Sequence, residues 1–243
     1  MDRPMTKPLA RDPMYRHRAF DAEVIEVCVR WYLSYKLSYR DLVEMMAERG
    51  VELAHTTILR WVTRYVPEFS KRWDRFRRRV GASWRTDETY ISVKGRWHYL
   101  YRAVDQFGKT IDFLLRPDRG IAAARAFFRK ALDSNGDHFP RTVTLDGHVP
   151  SRRALWLLRR EHVKWRHVTV RTCQYLNNIV EQDHRGIKAR WRVTTGFKSF
   201  ATAATTLAGF ELAHRIRKRQ FSFGRGRRPN GWSRKNEWAF ALA

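Results

Sequence analysis

The sequence predicts an α/β protein with a small all-α module on its N-terminal side. Three observations predict it: three segments of helical periodicity before residue 66, three adjacent strand-like segments after residue 81, and helical segments alternating with strand segments up to residue 220. The chain has 243 residues, of which 43% are hydrophobic and 14% aromatic. That length and composition suffice for one α/β domain with a smaller domain attached.

The N-terminal part is expected to begin with a leader and a first helix. Residues 1–19 mix proline with charged residues and have no hydrophobic period, which is typical of a poorly ordered leader. From Asp21, the expected helix cap, to about Tyr35, residues such as Cys28 and Trp31 fall on one apolar face. The pattern therefore predicts an amphipathic helix.

Two further helices complete a helix-turn-helix pattern over residues 20–66. Ser38 and Asp41 have the spacing of a capping box, and Gly50 ends this second helix. Pro67 marks the expected end of the third. The third helix has an apolar side of Ile58, Trp61, Val62 and Tyr65 and a polar side of Thr56, Thr57, Arg60 and Arg64. Its polar side fits a DNA major groove, although helix pairs with a glycine turn are also common in proteins that never bind DNA.

Strand-like segments follow a basic linker at residues 67–80, of which Ser70 to Arg79 could also be an extension of the third helix. The expected elements are strands over 84–93, 97–105 and 110–115, a helix over 120–132, a strand over 142–146, a helix over 151–161, a candidate fifth strand over 163–167, and helices after 175 and over 200–220. This order matches the ribonuclease-H-like α/β fold, although many α/β folds begin similarly. We therefore expect an α/β domain over residues 81–220 and a basic tail over 221–243.

The charge of the chain calls for an anionic partner. Lys and Arg number 49 against 24 Asp and Glu, so the formal net charge is +25. Such a positive field attracts nucleic acid, acidic membrane surfaces and acidic proteins, and nucleic acid is the interpretation we favour. No apolar run approaches the roughly 20 residues of a membrane span, and the start of the chain lacks a secretory signal. We expect a cytoplasmic protein at the nucleoid.

Cysteine and histidine spacing gives no sign of a zinc site. Cys28 and Cys173 have no close partner in sequence, and the nine histidines form no metal-binding motif. The two cysteines are expected to be buried small hydrophobic residues. Carboxylates must therefore hold any catalytic metal.

Three acids are candidate metal ligands. Asp87 lies in the first expected strand of the sheet, Asp146 at the end of the fourth, and Glu181 on a later helix. Hard divalent cations take oxygen ligands, and converging carboxylates hold the ions of phosphoryl-transfer sites. The alternative is that the two aspartates merely end strands and that Glu181 is an ordinary surface acid.

Three neighbouring acids are poorer candidates. Alternation along a strand turns Glu88 to the opposite sheet face from Asp87. Asp183 is two residues from Glu181 and is therefore off its helical face. Asp105 either orients a ligand or ends its strand, and we favour the second role.

Two stretches carry a family resemblance. They are WRTDETYISVKGRWHYLYRAVDQFGKTIDF, residues 84–113, and YLNNIVEQDHRGIKARWRVTTGFKSF, residues 175–200. They resemble the DDE transposases of bacterial and archaeal insertion sequences, specifically the insertion-sequence six family. The segment WYLSYKLSYRDLVEMMAERGVELAHTTILRWVTRY is also similar to that family's DNA-binding region. The resemblance places the family's acidic triad on Asp87, Asp146 and Glu181.

The resemblance implies an integrase-type, ribonuclease-H-like catalytic domain in which Asp87, Asp146 and Glu181 hold two Mg²⁺ or Mn²⁺ ions. It implies a transposase that binds the terminal inverted repeats of an insertion sequence. It also implies nicking of the ends and attack of the freed 3′-OH on target DNA. Double-stranded DNA is thus the expected partner, and the pairing of two ends implies a homodimer or a higher oligomer.

A basic group follows the expected glutamate. Lys188 lies two helical turns beyond Glu181 on the same face, where the family has a basic residue. Beside the carboxylates it is expected to act in catalysis by contacting a DNA phosphate, and the alternative is an ordinary solvated lysine. His184, Arg185 and Arg190 are expected to border the same DNA groove.

Two departures from the family pattern leave alternatives open. A lysine-type continuation is expected after Asp146, but the chain has Gly147-His148, which puts the local DNA contact in doubt. The Arg- and Gly-containing tail is also unusual and suggests a flexible DNA contact or an altered end. The rival functions are a DNA-binding regulator derived from an inactive transposase and a nuclease of the same fold.

Overall fold

A computed structural model describes residues 12–173, 178–191, 196–224 and 233–242 of the chain. The helices are α1 (Ala22–Ser34), α2 (Tyr39–Ala47), α3 (His55–Asp74), α4 (Ile121–Ser134), α5 (Val149–Glu161), α6 (Val163–Arg166), α7 (Asn178–Trp191), α8 (Phe200–Arg217) and α9 (Arg234–Leu242). The strands are β1 (Ser83–Val93), β2 (Arg96–Asp105), β3 (Thr110–Arg116), β4 (Thr142–Leu145) and β5 (Thr169–Thr172). Within the described ranges, no helix is both long and apolar enough to cross a lipid bilayer.

The five described strands form a mixed sheet in the order β3-β2-β1-β4-β5. The first three make an antiparallel meander whose turns contain Gly95 at φ 73° and Gly108 at φ 74°, a conformation that favours glycine. β4 pairs in parallel with β1, and β5 pairs in parallel with β4. Helix α4 connects β3 to β4, and α5 with α6 connects β4 to β5. This arrangement confirms the ribonuclease-H-like α/β fold predicted from the order of elements.

Each face of the sheet buries a different helical layer. Alternation along β1 sends Trp84 to one face, where it packs with α4, α5 and α6. Ile91 points to the other face, where it packs with α1, α2, α3, α8 and α9. The helix-turn-helix module and the sheet therefore share one hydrophobic core. The division into units at residues 20–66 and 81–220 stays a prediction.

The local signals of the N-terminal helices are confirmed. Ser38 and Asp41 form a capping box: Asp41 N–H donates to the Ser38 hydroxyl at 3.1 Å, and Ser38 N–H donates to the Asp41 carboxylate at 2.7 Å. The predicted apolar side of α3 is buried, and Cys28 on α1 is fully buried beside it. Cys173 is half-buried, and both cysteines are free.

Helix α3 runs through Pro67 to Asp74, so the prediction that this proline ends the helix is wrong. A proline inside a helix costs about 3 kcal/mol. Beyond it, however, Phe69 and Trp73 are fully buried, and burial of one such side chain contributes about 1.5–3 kcal/mol. Tertiary packing therefore outweighs the local penalty, and part of the expected basic linker is helical.

Both segments expected to be flexible contribute to the core. Tyr15, in the expected leader, is buried, and its ring centroid lies 5.2 Å from that of Tyr65. In the expected tail, Phe221 and Trp238 pack edge-on against Trp73 with centroids 4.7 and 5.4 Å away. Aromatic burial thus folds both segments, which corrects the expectation of a flexible tail. The remainder of the two segments, residues 1–11, 225–232 and 243, lies outside the described residues.

The candidate fifth strand at residues 163–167 is also wrong, because α6 occupies this segment and β5 follows it. His162 caps the short helix, since its ring accepts a hydrogen bond from Lys164 N–H at 3.1 Å. Trp165 is then buried against Phe139, with ring centroids 5.3 Å apart. The apolar side chains of a single turn resemble those of a short strand in sequence, which explains the wrong prediction.

Asp112, on the edge strand β3, connects the two helical layers. Its carboxylate accepts a hydrogen bond from Lys130 of α4 at 2.7 Å and lies 3.3 Å from Arg215 of α8. Burial alone would raise the pKa of this carboxyl. The two cations and the hydrogen bond from Phe113 N–H outweigh burial, so the pKa lies below its ordinary value of 3.8.

We expect Asp112→Asn to destabilise the protein at neutral pH and to lose much of this effect in acid. A carboxyl whose folded pKa is lowered stabilises the fold above its unfolded pKa and loses that contribution as the pH falls through the folded pKa. The difference in unfolding free energy between wild type and variant, measured by urea denaturation, should therefore narrow below about pH 4. A difference that stays constant from neutral pH into that range would contradict the ion pairing.

Candidate active site

Asp87 on β1 and Asp146, which directly follows β4, both lie just beyond the last pair of the β1–β4 register. The parallel register pairs Arg85 with Thr144, and the Thr86 hydroxyl lies 3.5 Å from the Thr144 carbonyl oxygen. Continuing this register by two residues sets Asp87 opposite Asp146, which directly follows β4. The two predicted aspartates thus follow paired positions of neighbouring strands, and the charges of both act on the carboxyl of Glu88.

Asp87 faces the helical layer that contains α7. Its Oδ1 accepts a hydrogen bond from Glu88 N–H at 2.8 Å, and its Oδ2 lies 3.3 Å from Nδ1 of His184 on α7. His184 is buried, and its Nε2 has no hydrogen-bond partner within the described part of the chain. The contact between Asp87 and His184 marks the place where α7 crosses β1.

Glu181 lies one helical turn before His184 on α7, and its side chain is exposed. Residues three apart lie on the same side of a helix, so the turn that carries Glu181 adjoins the Asp87 contact. Among the residues that the structure describes, no three His, Cys, Asp or Glu side chains are close enough together to hold a metal ion. Glu181 stands exposed one turn from His184, the residue of α7 that contacts Asp87.

The buried carboxylate of Glu88, on the sheet face opposite to Asp87, contacts the residues that follow Asp146. The backbone N–H of His148 donates to Asp146 Oδ1 at 3.0 Å. Glu88 accepts a hydrogen bond from the Ser151 hydroxyl at 2.7 Å and lies 3.1 Å from His148 Nδ1. Glu88 thus points away from Asp87, as alternation predicts, but supports the residues that follow Asp146.

Burial raises the pKa of the Glu88 carboxyl to about 7. The hydrogen bond from Ser151 lowers this pKa, whereas the negative charge of Asp146 raises it further. Arg119 lies 3.6 Å away and favours the ionised form. Alternation excludes Glu88 as a ligand on the face of Asp87 but gives no sign of this supporting role. The only signal in the sequence is His148, which departs from the lysine-type continuation expected there.

Asp183 belongs to a buried ionic cluster and not to the surface of α7. It pairs with Arg102 at 2.6 Å, with His214 at 2.6 Å and with Lys218. Burial opposes ionisation, but the hydrogen bond from His214 and the charges of Arg102 and Lys218 hold the pKa of Asp183 well below its ordinary value. Asp105 has the structural role that we favoured, because its carboxylate accepts the backbone N–H groups of Phe107 and Lys109 in the β2–β3 turn and that of Gly81 before β1.

The residues predicted to bind DNA differ in exposure. Thr56, Arg60 and Arg64 are exposed on the polar side of α3, and Thr57 is half-buried there. On α7, Arg185 is exposed and Lys188 is half-buried.

Arg190 does not fit its predicted role as a DNA contact. Its side chain is 6% exposed, and its guanidinium donates to the Ser34 carbonyl oxygen and lies 5.9 Å from the centre of the Phe210 ring. Burial lowers the pKa of Arg190 to about 10, with the charge of Arg217 adding to the shift. The side chain fastens α7 to α1 and α8, a function that its place in the sequence does not reveal.

Comparison with known proteins agrees with this architecture. A protein-family model described as a DDE domain matches residues 81–220. The transposase for insertion sequence-like element IS431mec of Staphylococcus aureus (strain Mu50 / ATCC 700699) is 40% identical over 205 residues, which cover 84% of this chain and 89% of that protein. The Staphylococcus aureus transposase for IS257 in transposon Tn4003 is 39% identical with the same coverage.

A solved structure is similar at a lower level. The catalytic core domain of BIV integrase is 18% identical, with 54% of this chain and 83% of that chain covered and a TM-score of 0.41. This structural similarity is too low to support a conclusion about the chain. The sequence relatives span most of both chains, and the matched domain contains Asp87, Asp146 and Glu181. The chain therefore belongs to the DDE transposases of the insertion-sequence six family and is an enzyme of DNA strand transfer.

Proposed function

We propose that this transposase binds the terminal inverted repeats of an insertion sequence, nicks the ends and transfers their 3′-OH strands to target DNA. Asp87, Asp146 and Glu181 are the proposed metal ligands. The observation that supports this proposal is the β1–β4 register, whose last pair, Arg85 and Thr144, lies two residues before Asp87 and Asp146, with α7 in contact with Asp87 through His184.

The donor set fits a hard divalent cation. Asp87 and Asp146 offer neighbouring carboxylates, which are the oxygen ligands that Mg²⁺ and Mn²⁺ prefer, and Glu181 on the adjoining helix would complete the set. Two such ions, when bound, align and stabilise the attacking and leaving oxygens of an in-line phosphoryl displacement.

The protein's own contribution is to hold the carboxylates in place. The His148 N–H and the buried Glu88 fix the turn that carries Asp146. His184 fixes one oxygen of Asp87 from the other side of the sheet. Fixed ligands need little rearrangement as charge develops on the reacting phosphate, which is how such sites lower the barrier.

The basic residues of α7 fit contacts with DNA phosphates. Lys188 lies two turns beyond Glu181 on the same face and is half-buried, and Arg185 is exposed between them. Because α7 contacts β1 beside Asp87, a strand entering the site would pass along these cations. We propose that both residues position the strand and that Lys188 contacts a phosphate next to the carboxylates.

We expect Arg60→Ala combined with Arg64→Ala to weaken binding to terminal DNA. Both arginines are exposed on α3, opposite its buried apolar side, so the double change should remove DNA contacts and leave the fold intact. A matched control is Lys71→Ala with Arg75→Ala, which removes two exposed charges farther along the same helix. Mobility-shift titration should show a loss of at least about tenfold only for the first pair. Equal losses for both pairs would contradict a recognition surface at the start of α3.

The proposed reaction is tested with purified protein, a duplex carrying the element end, a separate target duplex and Mg²⁺. Nicking at the end followed by joining of the 3′-OH strand to the target is the expected result. Nicking without joining would favour the nuclease, and binding without either would favour the regulator.

Because two ends take part, we propose a homodimer or larger assembly on paired ends, acting on the DNA of the nucleoid in the cytoplasm.

A further inference from the structure

The outward side of α5 and α6 forms a strongly basic surface away from the carboxylates. We define it as the α5 basic surface. Its exposed residues are Arg152, Arg153, Trp156, Arg160, Lys164 and Arg166. An adjoining open cavity of about 650 Å³ is lined by Trp156, Arg159, Arg160 and Arg166. The inward side of α5 is apolar and fills the core, so nothing in the fold requires the outward charges.

A tryptophan organises the charges of this surface. Arg153 and Arg160 are seven residues apart, and Trp156 lies between them on the same side of the helix. The guanidinium carbons lie 4.1 and 4.8 Å from the centre of the indole ring. Such cation–π contacts restrict the arginine side chains and leave their N–H groups free to donate. Trp156 is 41% exposed, so its ring is accessible from solvent between the two arginines.

These arginines lack carboxylate partners. Within the described ranges, no Asp or Glu oxygen lies within 4.0 Å of a nitrogen of Arg153, Arg160 or Arg166. The nearby Glu161 is directed to α4, where it pairs with two other arginines. The surface therefore presents fixed cations that need an external anion, and planar guanidinium groups match phosphate in particular.

The position of the surface indicates which DNA it meets. Helix α5 begins just after Asp146, and Trp156 lies seven residues into it, about 10 Å along the axis. The helix-turn-helix module packs on the opposite face of the sheet. A straight duplex held by α3 would therefore not lie along α5.

We propose that the α5 basic surface binds the phosphate backbone of a second duplex, the target DNA, while α3 holds the element end. This inference rests on the proposed function for the identity of the two duplexes. Contacts from fixed arginines to phosphates carry no sequence information, so target binding through this surface should be independent of sequence.

The test uses Arg153→Gln with Arg160→Gln and, as a matched control, Lys94→Asn with Arg96→Gln at the exposed β1–β2 turn. Binding to a duplex without the terminal repeat is measured by fluorescence anisotropy over a salt series. Each lost phosphate contact reduces the log–log salt slope by about 0.9, so the first pair should reduce it by about 2 and the control should not. Trp156→Ala should weaken binding more than Trp156→Phe, since phenylalanine keeps a ring between the arginines. An unchanged salt slope in the first variant, or an equal change in the control variant, would contradict phosphate binding by the α5 basic surface.

A second measurement identifies the duplex. With terminal DNA and a separate target, the variant carrying Arg153→Gln and Arg160→Gln should nick the end at a rate within about twofold of the wild type. Its rate of joining that end to the target should be at least about tenfold lower than that of the wild type. Equal losses of end binding, nicking and joining would show that the surface holds the element end and would overturn the assignment to target. If the wild type itself does not nick, the proposed function fails, whereas the salt slope still decides whether α5 binds duplex phosphates.

Discussion

Asp146→Asn should abolish both nicking and joining while terminal DNA still binds. The amide keeps the size and the hydrogen bond from His148 N–H but removes the negative charge that holds a divalent cation. Without that charge, the reacting phosphate loses stabilisation that we expect to be worth at least about 100-fold in rate. Binding should persist or tighten slightly, because a negative charge near DNA phosphates is removed and α3 is unchanged.

Asp87→Asn and Glu181→Gln should give the same separation of binding from chemistry. The matched control is Asp133→Asn, which changes an exposed acid on α4, and should remain fully active. Sequence spacing alone would make Asp183→Asn a neutral control, but its burial beside Arg102 and His214 makes it unsuitable. Retained Mg²⁺-dependent cleavage in the Asp146 variant would exclude the proposed triad.

Arg102→Met should strongly destabilise the protein. Arg102 is fully buried on β2, where it pairs with Glu211 of α8 at 2.6 Å and with Asp183 of α7 at 2.6 Å. Loss of Arg102 removes the ion-pair partner of buried Glu211 and leaves Asp183 with His214 and Lys218, and breaking a buried ion pair in this way costs about 3–5 kcal/mol. Urea denaturation of both proteins measures this difference directly.

The control for this prediction is Arg129→Met, which breaks an exposed ion pair with Glu161. Exposed pairs contribute about 0–1 kcal/mol because water screens them. A cost for Arg102→Met no larger than that for Arg129→Met would show that the cluster does not hold α7 and α8 to the sheet. Because Asp183 is two residues from Glu181, loosening of α7 should also reduce activity.

The order of elements and the two aspartates could be predicted from the sequence because their signals are local. Period-2 alternation identifies β1, a capping box identifies the start of α2, and an acid after an apolar run identifies the end of β4. The continuation of α3 through Pro67 could not be predicted in this way. It depends on Phe221 and Trp238, which lie far along the chain and become neighbours only on folding.

The candidate site shows the same limit. Spacing on a helix separates Asp183 from Glu181, but the partner that buries Asp183 is Arg102 on β2. Likewise, alternation assigns Glu88 to its sheet face, but its contact with His148 requires β1 and the start of α5 to come together. Long-range ion pairs leave no periodic signal, so their roles appear only in the structure.

Cleavage of the polypeptide by bound Fe²⁺ tests most directly whether Asp87, Asp146 and Glu181 hold the same divalent ions. Iron replaces Mg²⁺ at oxygen-ligand sites, and with ascorbate and peroxide it generates radicals that cut the chain beside its ligands. We predict cuts near all three acids, suppressed by excess Mg²⁺ and lost in Asp146→Asn. Cuts near Asp87 and Asp146 without one near Glu181 would contradict the triad.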